Sequence, residues 1–216
     1  MNARDNILGR IRTALARDPA RSDAELARAR ATVCENRRGP LPTMAWEPVS
    51  RFRDRCLHSS SSVEEVIDLA QVPAAVCRYL VANNLPRSGV CWPRFSGLDW
   101  AGAELCMEAR PATAEDAIGV TGAYCAVAET GTLVLLSGTG CPLLSSLLPE
   151  THIAVVPVSR IVRCMEDSWD LLRKEHGTLP RQVAFISGPS RTADIEMTLV
   201  IGIHGPYRVH VILVGA

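Results

Sequence analysis

HIAVVPVSRIVRCMEDSWDLLRKEHGTLPRQVAFIS, residues 152–187, decides the fold class. The apolar run His152–Pro157 reads as a buried strand, Glu166–His176 as a helix, and Gln182–Ser187 as the next strand. Arg208–Val214 adds a closing strand. Working back from residue 152, Pro142–Leu148 reads as a proline-initiated helix, and the apolar runs Tyr124–Ala128 and Thr132–Leu136 flank Glu129-Thr130-Gly131 as a tight hairpin. Gly89–Trp92 and Ala103–Cys106 resemble short buried strands, Ala114–Ala117 a helical turn, and Pro73–Asn83 a helix. Ser61 with Glu64, or Ser62 with Glu65, offers a cap for a further helix whose apolar face is Val63, Val66, Ile67 and Ala70. Alternating strands and helices predict an α/β protein with helices covering a mostly parallel sheet.

The rest of the composition sets the scale. A chain of 216 residues, 47% hydrophobic and 21% charged, has room for one domain with an extra helical arm and enough apolar surface for a large core. Basic and acidic groups balance at 23 each, so the single-sign field of a general polyanion binder is missing. The balance is uneven along the chain. Residues 1–58 carry twelve arginines against seven acidic groups, about +5, which leaves residues 59–216 at about −5. Ile7, Leu8, Ile11 and Leu15 recur at helical spacing, and Ser22 with Glu25 reads as a capping box for a second short helix ending near Cys34. Gly39-Pro40-Leu41-Pro42 breaks the pattern as a linker. The expected organisation is therefore an N-terminal helical arm and linker at 1–58 and an α/β domain at 59–216.

Eight cysteines lie scattered with no Cys-x-x-Cys pair, which argues against a zinc or iron–sulfur framework in this chain. No metal site is predicted. The first residues lack the apolar core of a secretory signal and no run approaches a membrane span, so a cytoplasmic location with reduced thiols is expected. Lys174 is the only lysine, which nearly closes off Schiff-base and P-loop chemistry.

Three segments carry candidate chemistry. Glu129 at the hairpin is either a solvated turn carboxylate or one held at a pocket rim as base, nucleophile or ligand contact. Ser187-Gly188-Pro189-Ser190-Arg191-Thr192-Ala193-Asp194-Ile195-Glu196 follows a strand and combines a permissive glycine, hydroxyls and an arginine fork, as an anion cradle at a carboxyl strand end would. Its structural alternative makes Ser190 or Thr192 an N-cap, with Asp194 and Glu196 near the helix start. His204 lies in Gly202-Ile203-His204-Gly205-Pro206, either as a loop residue or as an acid/base group. The cysteines read as small core residues, although Cys125 and Cys141 flank the Glu129 segment and are candidates for reactivity.

Together, AETGTLVLLSG (128–138), LLPETHIAVVP (147–157), SGPSRTADIE (187–196) and GIHGPYRVHVILV (202–214) resemble the lactate-utilisation protein C family, the LUD domain. The resemblance implies a NagB/RpiA/CoA-transferase-like α/β fold. It also implies a cytoplasmic bacterial subunit that works with A- and B-type iron–sulfur partner proteins in oxidising L-lactate to pyruvate. This chain would hold no cofactor itself, the iron–sulfur clusters residing in those partners. The family's motif residues fall on Glu129, Thr130, Gly131 and Thr132, on Ser187, Gly188, Pro189, Ser190, Arg191, Thr192, Asp194 and Glu196, and on His204, Gly205 and Pro206. Glu129, His204 and Asp194 are the catalytic candidates. Thr130, Gly131, Ser187, Gly188, Ser190, Arg191, Thr192 and Glu196 are the candidates for binding a small organic anion. The rival expectations are a stand-alone isomerase or CoA-transferase-like enzyme acting on a phosphorylated or CoA-linked metabolite, and a non-catalytic scaffold.

Overall fold

The computed structural model describes residues 3–15, 19–35, 38–192 and 200–215. The chain divides into two compact units, residues 1–43 and 44–216. In the first, helix α1 spans Ala3–Leu15 and α2 spans Pro19–Glu35. α1 buries no residue, and Ile7, Ile11 and Leu15 stand exposed on it. α2 begins three residues before the expected cap at Ser22, with proline favoured in a first turn.

The second unit holds helix α3 (Pro48–His58), strand β1 (Ser62–Val66), helix α4 (Val72–Ala82), then strands β2 (Ser88–Cys91), β3 (Cys106–Ala109) and β4 (Ile118–Gly122). The hairpin strands β5 (Cys125–Val127) and β6 (Thr132–Leu136) follow, then β7 (Thr151–Pro157), β8 (Ile161–Val162), helix α5 (Met165–Glu175) and β9 (Val183–Ile186). β10 (Arg191–Thr192), β11 (Val200–Ile201) and β12 (Arg208–Val214) complete the described elements. A six-stranded sheet in the order β1-β12-β7-β4-β2-β3 is parallel at every pairing. Its inner strands β4 and β7 are buried almost throughout, which is why their sequences run continuously apolar instead of alternating. A second, four-stranded sheet in the order β8-β5-β6-β9 is mixed, and β10 pairs antiparallel with β11. The chain is thus α/β with a mostly parallel central sheet.

The hairpin strands alternate. Ala126, Leu133 and Leu135 join the main core with Phe52, Leu80, Trp92, Ile118, Ile153 and Ile212, while Cys125, Val127 and Val134 face Leu171, Val183 and Phe185 in a smaller cluster. No described helix is long and apolar enough to cross a membrane.

Several local expectations are corrected. Ser62–Val66 is a strand, since the edge of β12 offers a ladder from Ser62↔His210 to Val66↔Val214 that satisfies the backbone better than a short isolated helix. Its glutamates then diverge with strand periodicity, Glu64 meeting Arg78 of α4 and Glu65 meeting Arg53 of α3. The helix cap lies upstream instead, where the Glu47 carboxylate accepts from the amides of Val49 (3.0 Å) and Ser50 (2.8 Å) and opens α3. Those bonds hold the Glu47 carboxyl below its usual pKa. α3 buries Phe52 and Cys56, so the compact unit starts one helix earlier than the charge boundary at residue 58. The strand expected at Ala103–Cys106 starts only at Cys106, because Glu104 adopts φ 58° in the turn before it. Pro142–Leu148 is reduced to a 3-10 turn, Leu143–Ser146, pressed against β4: a Cβ on Gly119 would lie 2.1 Å from the Ser145 carbonyl oxygen.

Two imidazoles are sealed in the core. His152 on β7 is hydrogen-bonded through Nε2 to Thr121 Oγ1 (2.7 Å), and its Nδ1 has no partner among the described residues. His210 on β12 stacks on Tyr79 (4.0 Å) and is bonded to Ser62 Oγ at 2.8 Å. The Glu64 carboxylate 3.9 Å from His210 favours the charged ring, but desolvation wins, and burial pushes both histidines down to about 4. Above about pH 6.5 both rings are neutral whether the chain is folded or not. Below it, down to about pH 4, the unfolded chain takes up protons that the folded chain refuses. Stability should therefore fall with pH through that window, by up to about 1.4 kcal/mol per pH unit for each histidine. Thermal unfolding across the window checks this: Tm should drop as the pH is lowered, less steeply in His210→Gln, and a flat profile would contradict it.

Candidate functional site

The β5–β6 hairpin turns at Glu129-Thr130-Gly131, with the Gly131 amide donating to the Val127 carbonyl at 3.0 Å. Gly131 is required twice over. Its φ is +69°, and a Cβ there would lie 2.8 Å from the backbone of Arg55 and Cys56 in α3. Beside it, three hydroxyls form a chain: Thr130 to Thr132 at 2.7 Å and Thr132 to Ser187 at 2.6 Å. Glu129 is half-buried and its amide donates to the Arg163 carbonyl (3.0 Å). Among the described residues its carboxylate has no hydrogen bond or ion pair.

The loop after β9 docks on the same end of α3. Gly188 has φ +78°, and a Cβ on it would come within 2.4 Å of the Ser59 carbonyl oxygen. Arg191 donates to Ser60 Oγ, and Ser60 itself turns the chain with φ +64°. Ser190 joins this loop to the histidine segment: its amide donates to the Pro206 carbonyl (2.9 Å), its carbonyl accepts from Gly202 (3.0 Å), and its hydroxyl accepts from the His204 amide (3.3 Å). Gly205 lies against the Ser190 side chain.

Ser190 does not cap a helix, because Arg191–Thr192 is extended and paired with Val200–Ile201. Asp194 and Glu196 lie outside the described residues. Gly188 and Arg191 thus meet Ser59 and Ser60, Gly131 meets Arg55 and Cys56 in the helical turn before them, Thr130 is linked to Ser187 through the Thr132 hydroxyl, and Ser190 ties in the His204 backbone. No hydrogen bond or ion pair among the described residues joins Glu129, Arg191 and the His204 ring.

This cluster sits at the amino edge of the parallel sheet, not at the carboxyl edge that the strand–loop pattern suggested. Gln182–Ser187 becomes β9 of the small mixed sheet, where it runs antiparallel to β6, and its loop ends beside the start of β1. A cavity of about 410 Å³ lies at this edge between Leu148, Glu150, Gly202, Gly205, Tyr207 and Arg208.

Two basic residues escaped the sequence reading. Arg51 and Arg55, one turn apart on α3, each bury an Nε that has no partner among the described residues. Their i, i+4 spacing next to the hairpin was hidden by assigning residues 1–58 to the arm. Cys125 is fully buried, and desolvation pushes its thiol up to about 12, which argues against the reactive role considered for it; Cys141 is half-buried. No group of three metal-ligating side chains occurs among the described residues.

The sequence profile described as the LUD domain matches residues 93–214. This chain belongs to the LUD domain family. Among its relatives is a lactate utilization protein C from Bacillus subtilis, 45% identical over 100 residues, which are 45% of this chain and 42% of that protein. Another, from Exiguobacterium, is 40% identical over 139 residues, 62% of this chain and 60% of its own length. The aligned stretch thus spans from under half to three fifths of these relatives. A crystal structure of a DUF162 family protein from Deinococcus radiodurans matches the fold with a TM-score of 0.57 at 23% identity, covering 81% of this chain and all of that one.

The Gly188 contact is directly testable. Gly188→Ala should destabilise the LUD domain by about 1–3 kcal/mol, since alanine meets both the positive φ and the Ser59 carbonyl. Gly177→Ala, at a glycine with open space around it, should change stability by less than about 0.5 kcal/mol. Equal effects in thermal unfolding would refute the close docking of this loop on α3.

Proposed function

We propose that this LUD domain protein is a subunit or accessory protein of a cytoplasmic L-lactate utilisation system and binds a small organic anion at the loop cluster. The observation that carries the proposal is the hydrogen-bonded joining of Ser187–Thr192 to His204–Pro206, with the exposed Arg191 guanidinium bonded to the Ser60 hydroxyl and the Ser190 hydroxyl holding the His204 amide. A guanidinium among hydroxyls suits a carboxylate. The names of the lactate utilization protein C relatives supply the substrate class.

In this reading Arg191 takes the lactate carboxylate, with Thr130, Ser187, Ser190 and Thr192 as hydrogen-bonding neighbours. Glu129 and His204 are the candidate bases for the hydroxyl proton. Oxidation of L-lactate to pyruvate releases two electrons and two protons. The electrons are assigned to A- and B-type iron–sulfur partner proteins, a division that the unclustered cysteines of this chain support.

Calorimetric or thermal-shift titration tests the reading. L-lactate should raise Tm, and Arg191→Ala should diminish the shift. An unchanged shift in Arg191→Ala, or no response to L-lactate, pyruvate or other small organic anions, would remove the loop cluster as the site. Acylation of Glu129 by an acyl-CoA would instead favour the transferase-type chemistry.

A further inference from the structure

The opposite edge of the parallel sheet holds a guanidinium, that of Arg94, which no carboxylate neutralises among the described residues. Strand order reverses between β2 and β4: β3 lies outward from β2, whereas from β4 the order steps the other way to β7 and β12. In open α/β sheets the crevice beyond the carboxyl ends of the strands at such a reversal is where ligands bind.

β2 ends at Cys91 and leads into Trp92-Pro93-Arg94-Phe95, while β4 ends at Gly122. The Arg94 guanidinium rests on Gly122, filling the place of a side chain: a Cβ there would lie 1.2 Å from Nη2. The Trp92 and Phe95 rings, both buried, hold the head group at 5.2 and 4.7 Å from their centroids. Among the described residues Arg94 makes no hydrogen bond and no ion pair. Arg160, by contrast, is held by both oxygens of Glu175.

Arg94 is exposed to solvent, yet the protein crowding its head group lowers its pKa through desolvation, opposed by the nearby Cys141 sulfur. The Trp92 indole N–H donates to the Pro142 carbonyl at 3.1 Å and anchors the segment carrying Cys141 over the same edge.

The geometry points to a second anion site, in which Arg94 grips the carboxylate of a small organic acid at the β2/β4 reversal, with Gly122 as its floor and Cys141 at its flank. Carboxylate is favoured over phosphate because one planar fork matches one carboxylate, whereas a phosphate dianion calls for more donors. The nearby amides are already used: Trp92 donates to Val120, Phe95 to Trp92, and Ala123 to Val155. The assignment goes beyond the loop cluster and does not depend on it.

The two sites are separated by working on an Arg191→Ala background. Calorimetry with L-lactate, pyruvate and acetate should still detect binding there, and adding Arg94→Gln should weaken it about tenfold or more. Arg94→Lys should fail to restore it, since an ammonium lacks the planar fork. Gly122→Ala should weaken binding while keeping the charge, by displacing the guanidinium. Absence of binding in Arg191→Ala, or binding insensitive to Arg94→Gln, overturns the proposal. Tighter binding of inorganic phosphate than of the carboxylates overturns the assigned ligand class. Loss of an Arg191-dependent component in the otherwise wild-type chain bears on the loop cluster alone.

Discussion

The close approach of α3 to two glycines is the constraint on which the domain's architecture turns. Gly131 of the small sheet's hairpin and Gly188 of the loop after β9 both abut the last turn of α3, within distances that no side chain would permit. The same turn passes into β1 and so into the parallel sheet. That helix end, together with Ala126, Leu133 and Leu135 in the shared core, seats the small sheet against the large one, and the candidate loop docks on the same helix end. Arg191 adds a polar bond to the arrangement through Ser60, but sterics set it.

This arrangement puts chemistry-bearing groups at both ends of the parallel strands. The hydroxyl chain, Ser190 and the His204 segment lie at the amino edge, built from loops that zip to one another. Arg94 lies at the carboxyl edge, built on the sheet itself and held by aromatic rings. The first depends on loop conformation, the second on the order of the strands that carry the Pro93–Phe95 turn and Gly122.

The α/β class, the hairpin around Glu129-Thr130-Gly131 and the strand Arg208–Val214 were legible in the sequence because apolar runs bounded by turn residues leave little choice. Ser62–Val66 was misread, since five residues fit either periodicity and the deciding partner, β12, lies some 148 positions away in the Ser62↔His210 pair. The Ser187 loop was recognised by its residues, but its edge was not. Nothing in Gln182–Ser187 tells whether it joins the parallel sheet or pairs antiparallel with β6. Arg94 was invisible for the same reason: its significance lies in Gly122 and the strand order, and neither shows as a local pattern.

β12 lies between β1 and β7 although it is the last of the described strands in sequence. Until it pairs, both neighbours present an open row of amides and carbonyls, flanked on β7 by apolar side chains. Such edges invite pairing with other chains. Joining β1 to the rest of the sheet thus requires a sequence-distant pairing of the kind that slows folding. Exposure to aggregation in this protein should depend on how quickly RVHVILV finds its slot.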